Sequence, residues 1–240
     1  MSERFFLNQP VSESTATLDG DQAHHLARVM RAKAGDQVVL FDGKGNEYQA
    51  TIEEVSKKNV SLAIDSVALV PDPNEPQITI ACALPRGDRQ KFLIEKLVEL
   101  GANRFIPLKS SRSVAEANPK VIARIAKQIV EASKQCRRNW LMEVGSPLSV
   151  DQLLEEFSGS EGSCLLADPY VASGNEILHR GEASVIAIGP EGGFTPKESQ
   201  RFADHDWTSV CFSPNVLRIE TAAAAAVAIT RAAKSSPKQA

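Results

Sequence analysis

A proline-rich hexapeptide separates two different patterns of secondary structure along this chain. The hexapeptide, "PDPNEP" (71–76), has three prolines in six residues, which neither a helix nor a central strand accepts. Before it, the β-branched segments 36–43, 46–55 and 59–67 predict strands joined by turns. After it, apolar strand-like runs alternate with amphipathic helical stretches, which is typical of an α/β domain with a mainly parallel sheet. The sequence therefore predicts two domains.

The first domain is predicted over residues 1–72 as a small β-rich domain. Its one helical stretch, 21–36, is expected to end at Gly35 as a C-cap. The second domain is predicted over residues 73–240. It should contain a helix over 89–101 and another that starts after Asn118 as N-cap, with strands between the helices.

The segment "IAIGPEGGFTPKE" has an unusual composition for the end of a strand. A buried strand runs into three glycines, a proline and a carboxylate, and a helix then starts with Thr195 as N-cap and Glu198 three residues later. The segment matches neither a P-loop nor a GxGxxG fingerprint. Glycines let backbone amides and carbonyls approach a ligand closely, although a tight turn without a ligand would use the same residues.

Two further predicted strands also end in segments of unusual composition. They follow the apolar strands predicted over 163–168 and 208–212. In an open parallel sheet, ligands bind outside the carboxyl ends of the strands, so a site is expected where these three segments meet. The last of them enters a helix with five consecutive alanines, which has little side-chain volume and is suited to close packing.

The charge is unevenly distributed. The net charge is −3, yet residues 71–140 carry 13 Lys and Arg against 7 Asp and Glu, a balance of +6. Six polar residues at spacings of three and four after Asn118 form one stripe, which consists of Lys120, Arg124, Lys127, Glu131, Lys134 and Arg138. A basic stripe on an acidic protein suggests a polyanionic partner, and a solvated helix face is the alternative.

Several classes of protein are disfavoured by the sequence. The four cysteines are widely spaced, with no CxxC pair, so we expect buried free thiols and no metal site. No apolar run is long enough to cross a bilayer, so no membrane partner is expected. The N-terminal residues lack the basic and apolar pattern of a signal peptide, and a cytoplasmic location is predicted.

The motifs together resemble those of one family. The segments "ALPRGDRQKFLIEKLVELGANRFIPLKSSRSV", "IGPEGGFTPKE" and "VLRIETAAAAAVAI" look like the RsmE-type ribosomal RNA methyltransferases of the SPOUT superfamily. The segments "RFFL" and "HHLARVMRAKAGDQVVLFDGKG" are similar to that family's PUA-like RNA-binding domain. The similarity covers almost the whole chain in the family's order, and "GPEGG" followed at this distance by "LRxETA" is a specific pairing.

The resemblance implies a C-terminal trefoil knot, a homodimer and methyl transfer from S-adenosylmethionine to N3 of a uridine in small-subunit (16S) ribosomal RNA. It also places the cofactor against three loops. The cofactor residues implied are Leu166, Ala167, Asp168, Ile188, Gly189, Pro190, Glu191, Gly192, Gly193, Phe212, Ser213, Asn215, Val216, Leu217 and Arg218. Ser213 and Asn215 depart from the family's usual glycine and arginine, which leaves a related RNA methyltransferase with another target as an alternative.

Two residues before the alanine-rich helix are candidates for catalysis. N3 of uridine carries a proton and is a poor nucleophile until that proton is lost. Glu220 is the candidate base, and Arg218 is the candidate cation beside the developing charge. The alternative is that the two side chains pair with each other and only brace the loop.

A set of basic residues is predicted to bind ribosomal RNA, free or within the small subunit. It consists of Arg4, Arg28, Arg31, Arg86, Arg89, Lys91, Arg112, Arg137 and Arg138. A non-catalytic RNA-binding knot protein and a small-molecule α/β enzyme remain as other function classes. The first would bind RNA without S-adenosylmethionine, and the second would not bind RNA.

Overall fold

The protein forms two compact units in its computed structural model. The structure describes residues 4–12, 14–56, 58–74, 77–171 and 184–235. The N-terminal unit consists of Met1–Pro73 and Val130–Leu141, and the C-terminal unit consists of Asn74–Ile129 and Met142–Ala240. The sequence pattern indicated a boundary after residue 72, but it gave no sign that a later segment joins the first unit.

The N-terminal unit is built on a five-stranded sheet. Its strands are β1 (Arg4–Phe6), β2 (Thr15–Leu18), β3 (Gln37–Phe41), β4 (Asn46–Val55) and β5 (Val60–Leu69). Their order is β1-β3-β4-β5-β2, with β1 parallel to β3 and the other pairs antiparallel. The three predicted strands are confirmed as β3, β4 and β5. The short strands β1 and β2 were not predicted.

The helical stretch of this unit is shorter than predicted. Helix α1 (Gly20–His24) continues into a π-helical turn, His25–Val29, and the winding ends there. Gly35 is not the C-cap. The carboxylate of Asp36 accepts the backbone N–H of Lys33, and Gly35 at φ 93° donates its own N–H to the Ile52 carbonyl at 2.8 Å. These bonds offer the backbone an alternative to continuing the helix.

Residues 130–141 complete the N-terminal unit by backbone and indole hydrogen bonds. Gly45 donates to the Asn139 carbonyl, Leu141 donates to the Gly43 carbonyl, and the Trp140 indole donates to the Val70 carbonyl at 2.8 Å. The core of the unit includes the fully buried Phe5, Leu26, Leu40, Ile52 and Leu62. The late segment thus closes the end of the sheet where β3 and β4 turn.

The C-terminal unit has a parallel sheet, as predicted. Its strands are β6 (Ile78–Cys82), β7 (Arg104–Lys109), β8 (Glu143–Val144), β9 (Leu148–Ser149), β10 (Ser163–Ala167), β11 (Ser184–Ile188) and β12 (Thr208–Val210). The order is β12-β10-β11-β6-β7-β8, with β9 also paired to β7. Every strand pair is parallel. The α/β class with a mainly parallel sheet is therefore confirmed.

The C-terminal unit also contains helices. They are α2 (Asp88–Glu99), the first part of α3 (Pro119–Cys136), α4 (Val150–Glu156), α5 (Pro196–Asp204) and α6 (Ile219–Ser235). Residues 130–136 of α3 belong to the N-terminal unit. The predicted N-caps of α3 and α5 are confirmed: the Asn118 side chain accepts the Val121 N–H, and Thr195 and Glu198 form a capping box. Helix α4 was not predicted, although Ser149 and Gln152 cap it in the same way. Among the described helices, none is long and apolar enough to cross a membrane.

The alanine-rich helix packs closely, as expected. Ala223, Ala226 and Val227 of α6 are fully buried, and α6 contacts α2, β6 and β11. Because β12, β10 and β11 are neighbours and parallel, their carboxyl ends lie at the same edge of the sheet. The segments that follow them are therefore brought together.

Candidate active site

A cavity of about 390 Å³ lies at the carboxyl ends of β10, β11 and β12. Three loops and the first turn of α6 line it. The lining is Leu166, Ala167, Asp168, Pro169, Tyr170, Ile188, Gly189, Pro190, Glu191, Gly192, Gly193, Phe194, Val210, Cys211, Phe212, Ser213, Asn215, Val216, Leu217, Ile219 and Ala222, with Arg112 and Ser199. Every predicted cofactor residue lines the cavity except Arg218.

The glycine-rich loop after β11 is a tight turn. The Gly193 N–H donates to the Pro190 carbonyl at 2.8 Å, and Gly193 has φ 66°, a conformation that side chains disfavour. At Gly189, an added Cβ would lie 3.0 Å from the ring of Phe194. That ring packs edge-on against Phe202 with centroids 5.0 Å apart. Glycine at 189 therefore lets the backbone pass over the ring of Phe194, which is partly buried against Phe202.

Glu198 ties this loop to the segment after β7. One carboxylate oxygen accepts the Ser111 N–H at 2.8 Å, and the other accepts the N–H and hydroxyl of Thr195 at 2.8 Å each. Glu198 is only 9% exposed. Burial raises the pKa of its carboxyl, but the hydrogen bonds from Thr195 and Ser111 outweigh burial and hold the pKa below its ordinary value. The capping pattern in the sequence predicted the hydrogen bonds between Thr195 and Glu198, but it did not predict the hydrogen bond from Ser111 to Glu198.

We expect Glu198→Gln to lower the free energy of unfolding by about 2 kcal/mol at pH 7, because the buried, ionised acceptor of three hydrogen bonds is lost. Because the pKa of Glu198 is lower in the folded than in the unfolded protein, its ionised form stabilises the fold. This stabilisation is fully present above the unfolded-state pKa and is lost as the pH falls through the folded-state pKa. The difference in stability between wild type and variant should therefore begin to narrow below about pH 4.5 and disappear at still lower pH. Urea unfolding across pH measures it, with exposed Glu155→Gln as control. A gap that is constant with pH would contradict the assignment.

Two arginines predicted to bind RNA also hold the glycine-rich loop. The Arg112 guanidinium donates to the Gly192 carbonyl at 2.6 Å, and Arg112 lines the cavity. The Arg89 guanidinium lies 3.0 Å from the Glu191 carboxylate. Both side chains of the second pair are partly exposed, so that pair contributes little to stability. The loop is therefore anchored from two neighbouring segments that the sequence alone did not connect to it.

The loop after β10 is braced at its start. Asp168 donates its N–H to the Val210 carbonyl at 2.9 Å, and its carboxylate accepts the Tyr170 N–H at 2.9 Å. The loop after β12 has a turn of its own. There the hydroxyl of Ser213 accepts the Asn215 N–H at 3.1 Å, so the serine that departs from the family pattern has a local role.

Neither candidate catalytic residue lines the cavity, although both are neighbours of Ile219, which does. Arg218 is exposed, whereas Glu220 is 5% exposed and its Oε2 has no hydrogen-bond partner among the described residues. Within that part of the chain, no ion pair joins the two side chains.

Burial raises the pKa of the Cys82 thiol, and the negative charges of Glu220 and Glu191 raise it further. Cys82 is therefore a neutral thiol.

Two of the basic residues predicted for RNA are turned into the N-terminal unit, where Arg4 is partly buried and Arg138 is buried. Arg4 pairs with Glu47 at 2.9 Å and lies over the ring of Phe41. Burial lowers the pKa of Arg4 despite the charge of Glu47. Arg138 is 8% exposed, and its guanidinium donates to the Trp140 carbonyl. Both side chains are committed to contacts inside the unit.

The other basic residues are accessible to different degrees. Arg28, Arg31 and Arg137 are exposed on the N-terminal unit. On the C-terminal unit, Arg86 donates to the Val114 carbonyl through two nitrogens, and Lys91 lies 3.6 Å from Glu95.

In the described residues, no group of His, Cys, Asp and Glu could hold a metal ion. The four cysteines are free thiols, as expected, but only Cys82 is buried, whereas Cys136, Cys164 and Cys211 are partly exposed.

Family models and curated relatives match both units. Residues 72–231 match an RNA methyltransferase domain, and residues 18–65 match an RNA methyltransferase PUA domain. The ribosomal RNA small subunit methyltransferase E of Bacillus subtilis is 31% identical over 237 residues, covering 92% of both chains. The protein of the same name from Synechocystis is 30% identical, covering 92% of this chain and 74% of its own.

Solved structures match over nearly the full length. A Legionella pneumophila methyltransferase with bound cofactor SAM is 29% identical, with a TM-score of 0.89 over 97% of this chain and 98% of its own. A Neisseria gonorrhoeae ribosomal RNA small subunit methyltransferase E bound to S-adenosylmethionine is 29% identical, with a TM-score of 0.88 over the same shares. With the matching domain models and the three-loop cavity, this likeness shows that the chain belongs to the ribosomal RNA small subunit methyltransferase E family.

Proposed function

We propose that this protein methylates N3 of one uridine in 16S ribosomal RNA with S-adenosylmethionine as methyl donor. One observation carries the proposal: the three loops at the carboxyl ends of β10, β11 and β12 line the same cavity. The same family includes relatives solved with the methyl donor bound.

The cavity suits this cofactor in size and chemistry. Its volume of about 390 Å³ falls within the usual range of small-molecule sites. Ile188 and Leu217 offer apolar surface for the adenine ring, while the backbone of 189–193 and 212–217 offers donors and acceptors for its edge. Asp168 and Glu191 supply carboxylates for the ribose hydroxyls and the ammonium group. The cofactor, when bound, supplies an electrophilic methyl group on a sulfonium.

Arg218 and Glu220 have separate roles in this proposal. Glu220 takes the N3 proton, because its Oε2 is a buried acceptor with no partner in the described residues. The negative charge that the proton leaves behind spreads over the two carbonyl oxygens of the uracil ring. Arg218, which is exposed beside the cavity-lining Ile219, stabilises that charge.

The experiment uses small ribosomal subunits from a strain without this activity, labelled S-adenosylmethionine and mass mapping of the product. We expect one methyl group on N3 of one uridine. Glu220→Gln should slow the reaction about 100-fold while calorimetry shows unchanged cofactor affinity. Exposed Glu161→Gln is the matched control.

Each result against the proposal has a distinct meaning. A methyl group on another atom or nucleotide would favour a related RNA methyltransferase. RNA binding without cofactor binding would favour a non-catalytic knot protein, and cofactor binding without any RNA binding would favour a small-molecule enzyme. A wild-type rate in Glu220→Gln would place the base elsewhere.

The proposal extends to assembly and location. We infer a trefoil knot in the C-terminal unit, a homodimer formed through that unit, and a cytoplasmic protein that meets its RNA within the small ribosomal subunit. Arg28, Arg31 and Arg137 on the N-terminal unit, with Arg86 and Lys91 on the C-terminal unit, form the proposed RNA-binding set. Light scattering on the full chain tests the dimer, since a mass of 25.9 kDa would show a monomer.

A further inference from the structure

Tyr170 is the most exposed large apolar side chain among the described residues. Its exposure is 86%, and it lines the cavity near the start of the loop after β10. Val216, on the loop after β12, is 69% exposed and lines the same cavity. An exposed aromatic side chain at the mouth of a site is a common element of nucleobase recognition.

The backbone that carries Tyr170 is held firmly while its ring is left open. Asp168 accepts the Tyr170 N–H and donates its own N–H to the Val210 carbonyl, and Pro169 between them has a fixed φ. Within the described part of the chain, the Tyr170 ring has no hydrogen bond and no aromatic partner. The loop therefore presents a flat apolar surface beside the cavity.

The chemistry of the proposed reaction leaves the faces of the base free. After the N3 proton is lost, the nucleophilic electron pair lies in the plane of the uracil ring. The methyl group must approach along that plane, so the edge of the base points toward the cofactor. The two faces of the ring are then available for positioning, and a side chain that stacks on one of them does not block the attack.

We propose that Tyr170 is a positioning residue that stacks on the target uracil and presents its N3 edge to the cavity. This inference rests on the proposed function for the identity of the base. The ring is the element that matters, because the contact is between two flat surfaces and needs no hydroxyl.

A direct test uses small-subunit ribosomal RNA transcribed with 5-bromouridine. Irradiation of the complex should cross-link Tyr170 to the RNA, and mass spectrometry identifies the residue. Tyr170→Leu should lower kcat/KM for RNA about tenfold, Tyr170→Phe should keep it within twofold, and both should keep the S-adenosylmethionine affinity. Phe92→Leu, which removes an exposed aromatic ring outside the cavity lining, is the matched control and should behave as wild type.

Three results would overturn the inference. The first is a wild-type kcat/KM in Tyr170→Leu together with no cross-link at Tyr170 in the wild-type protein. The second is a kcat/KM in Tyr170→Phe that is as low as in Tyr170→Leu. The third is a molecular mass of Tyr170→Leu, measured by light scattering, that differs from the mass of the wild type. The last would assign the ring to contacts between copies. A cross-link at Tyr170 without methylation would sustain the stacking and refute the proposed reaction, so the two failures are distinguishable.

Discussion

A Gly192→Val protein is expected to bind S-adenosylmethionine about 100-fold more weakly than wild type while remaining folded. Gly192 lines the cavity, and a Cβ there would lie 3.3 Å from Cδ of Arg112. The flexible Arg112 side chain can yield, so the fold tolerates the change, but the two methyl groups of valine crowd the cavity wall and the Arg112 contact with the Gly192 carbonyl. Calorimetry with the cofactor measures the loss.

Gly192→Ala is the graded control, because it adds one carbon and should lose less affinity. Thermal unfolding should show that both variants melt within a few degrees of wild type. If folded Gly192→Val binds the cofactor as tightly as wild type, the glycine-rich loop does not form part of the cofactor site.

Replacing Arg28, Arg31 and Arg137 together by glutamate should weaken RNA binding about 100-fold at moderate salt. These residues are exposed on the N-terminal unit, so they are free to contact phosphates. Each phosphate contact adds about 0.7 to the salt dependence for single-stranded RNA, so the slope of log K against log salt should fall by about 2. Filter binding across a salt series measures both quantities, and cofactor affinity should stay unchanged.

Lys58→Glu is the control for this set, since Lys58 is exposed on the same unit but outside the proposed RNA surface. It should change the slope only slightly. A triple variant with the wild-type slope would show that these arginines are solvated surface residues that do not contact RNA phosphates. Arg138 is unsuitable for such a test, because the reversed charge would be buried.

Local patterns predicted the parts of the fold that local physics determines. Strand β11 is buried throughout and was visible as an apolar run, and Asn118 and Thr195 marked the starts of α3 and α5. Strands β8 and β9 have two residues each and exist because they pair with β7, so no pattern of their own reveals them.

In the site, too, features within one segment could be predicted, whereas contacts between segments far apart in the sequence could not. The resemblance located the three loops, but Arg112 and the Ser111 bond to Glu198 come from a segment about 80 residues earlier. Arg138 was placed on the basic stripe by helical spacing. Helix α3 ends at Cys136 and Arg137 has φ 59°, so the spacing no longer applied and the Arg138 side chain turned into the unit.

The return of residues 130–141 to the N-terminal unit has a consequence for synthesis on the ribosome. The strands of that unit are complete once Leu69 has been made, yet the partners of Gly43, Gly45 and Val70 follow about 70 residues later. Domains commonly fold in the order in which they emerge. The nascent N-terminal unit lacks these intramolecular partners until Leu141 has been made, so we expect its folding to be completed only while the following unit is being synthesised.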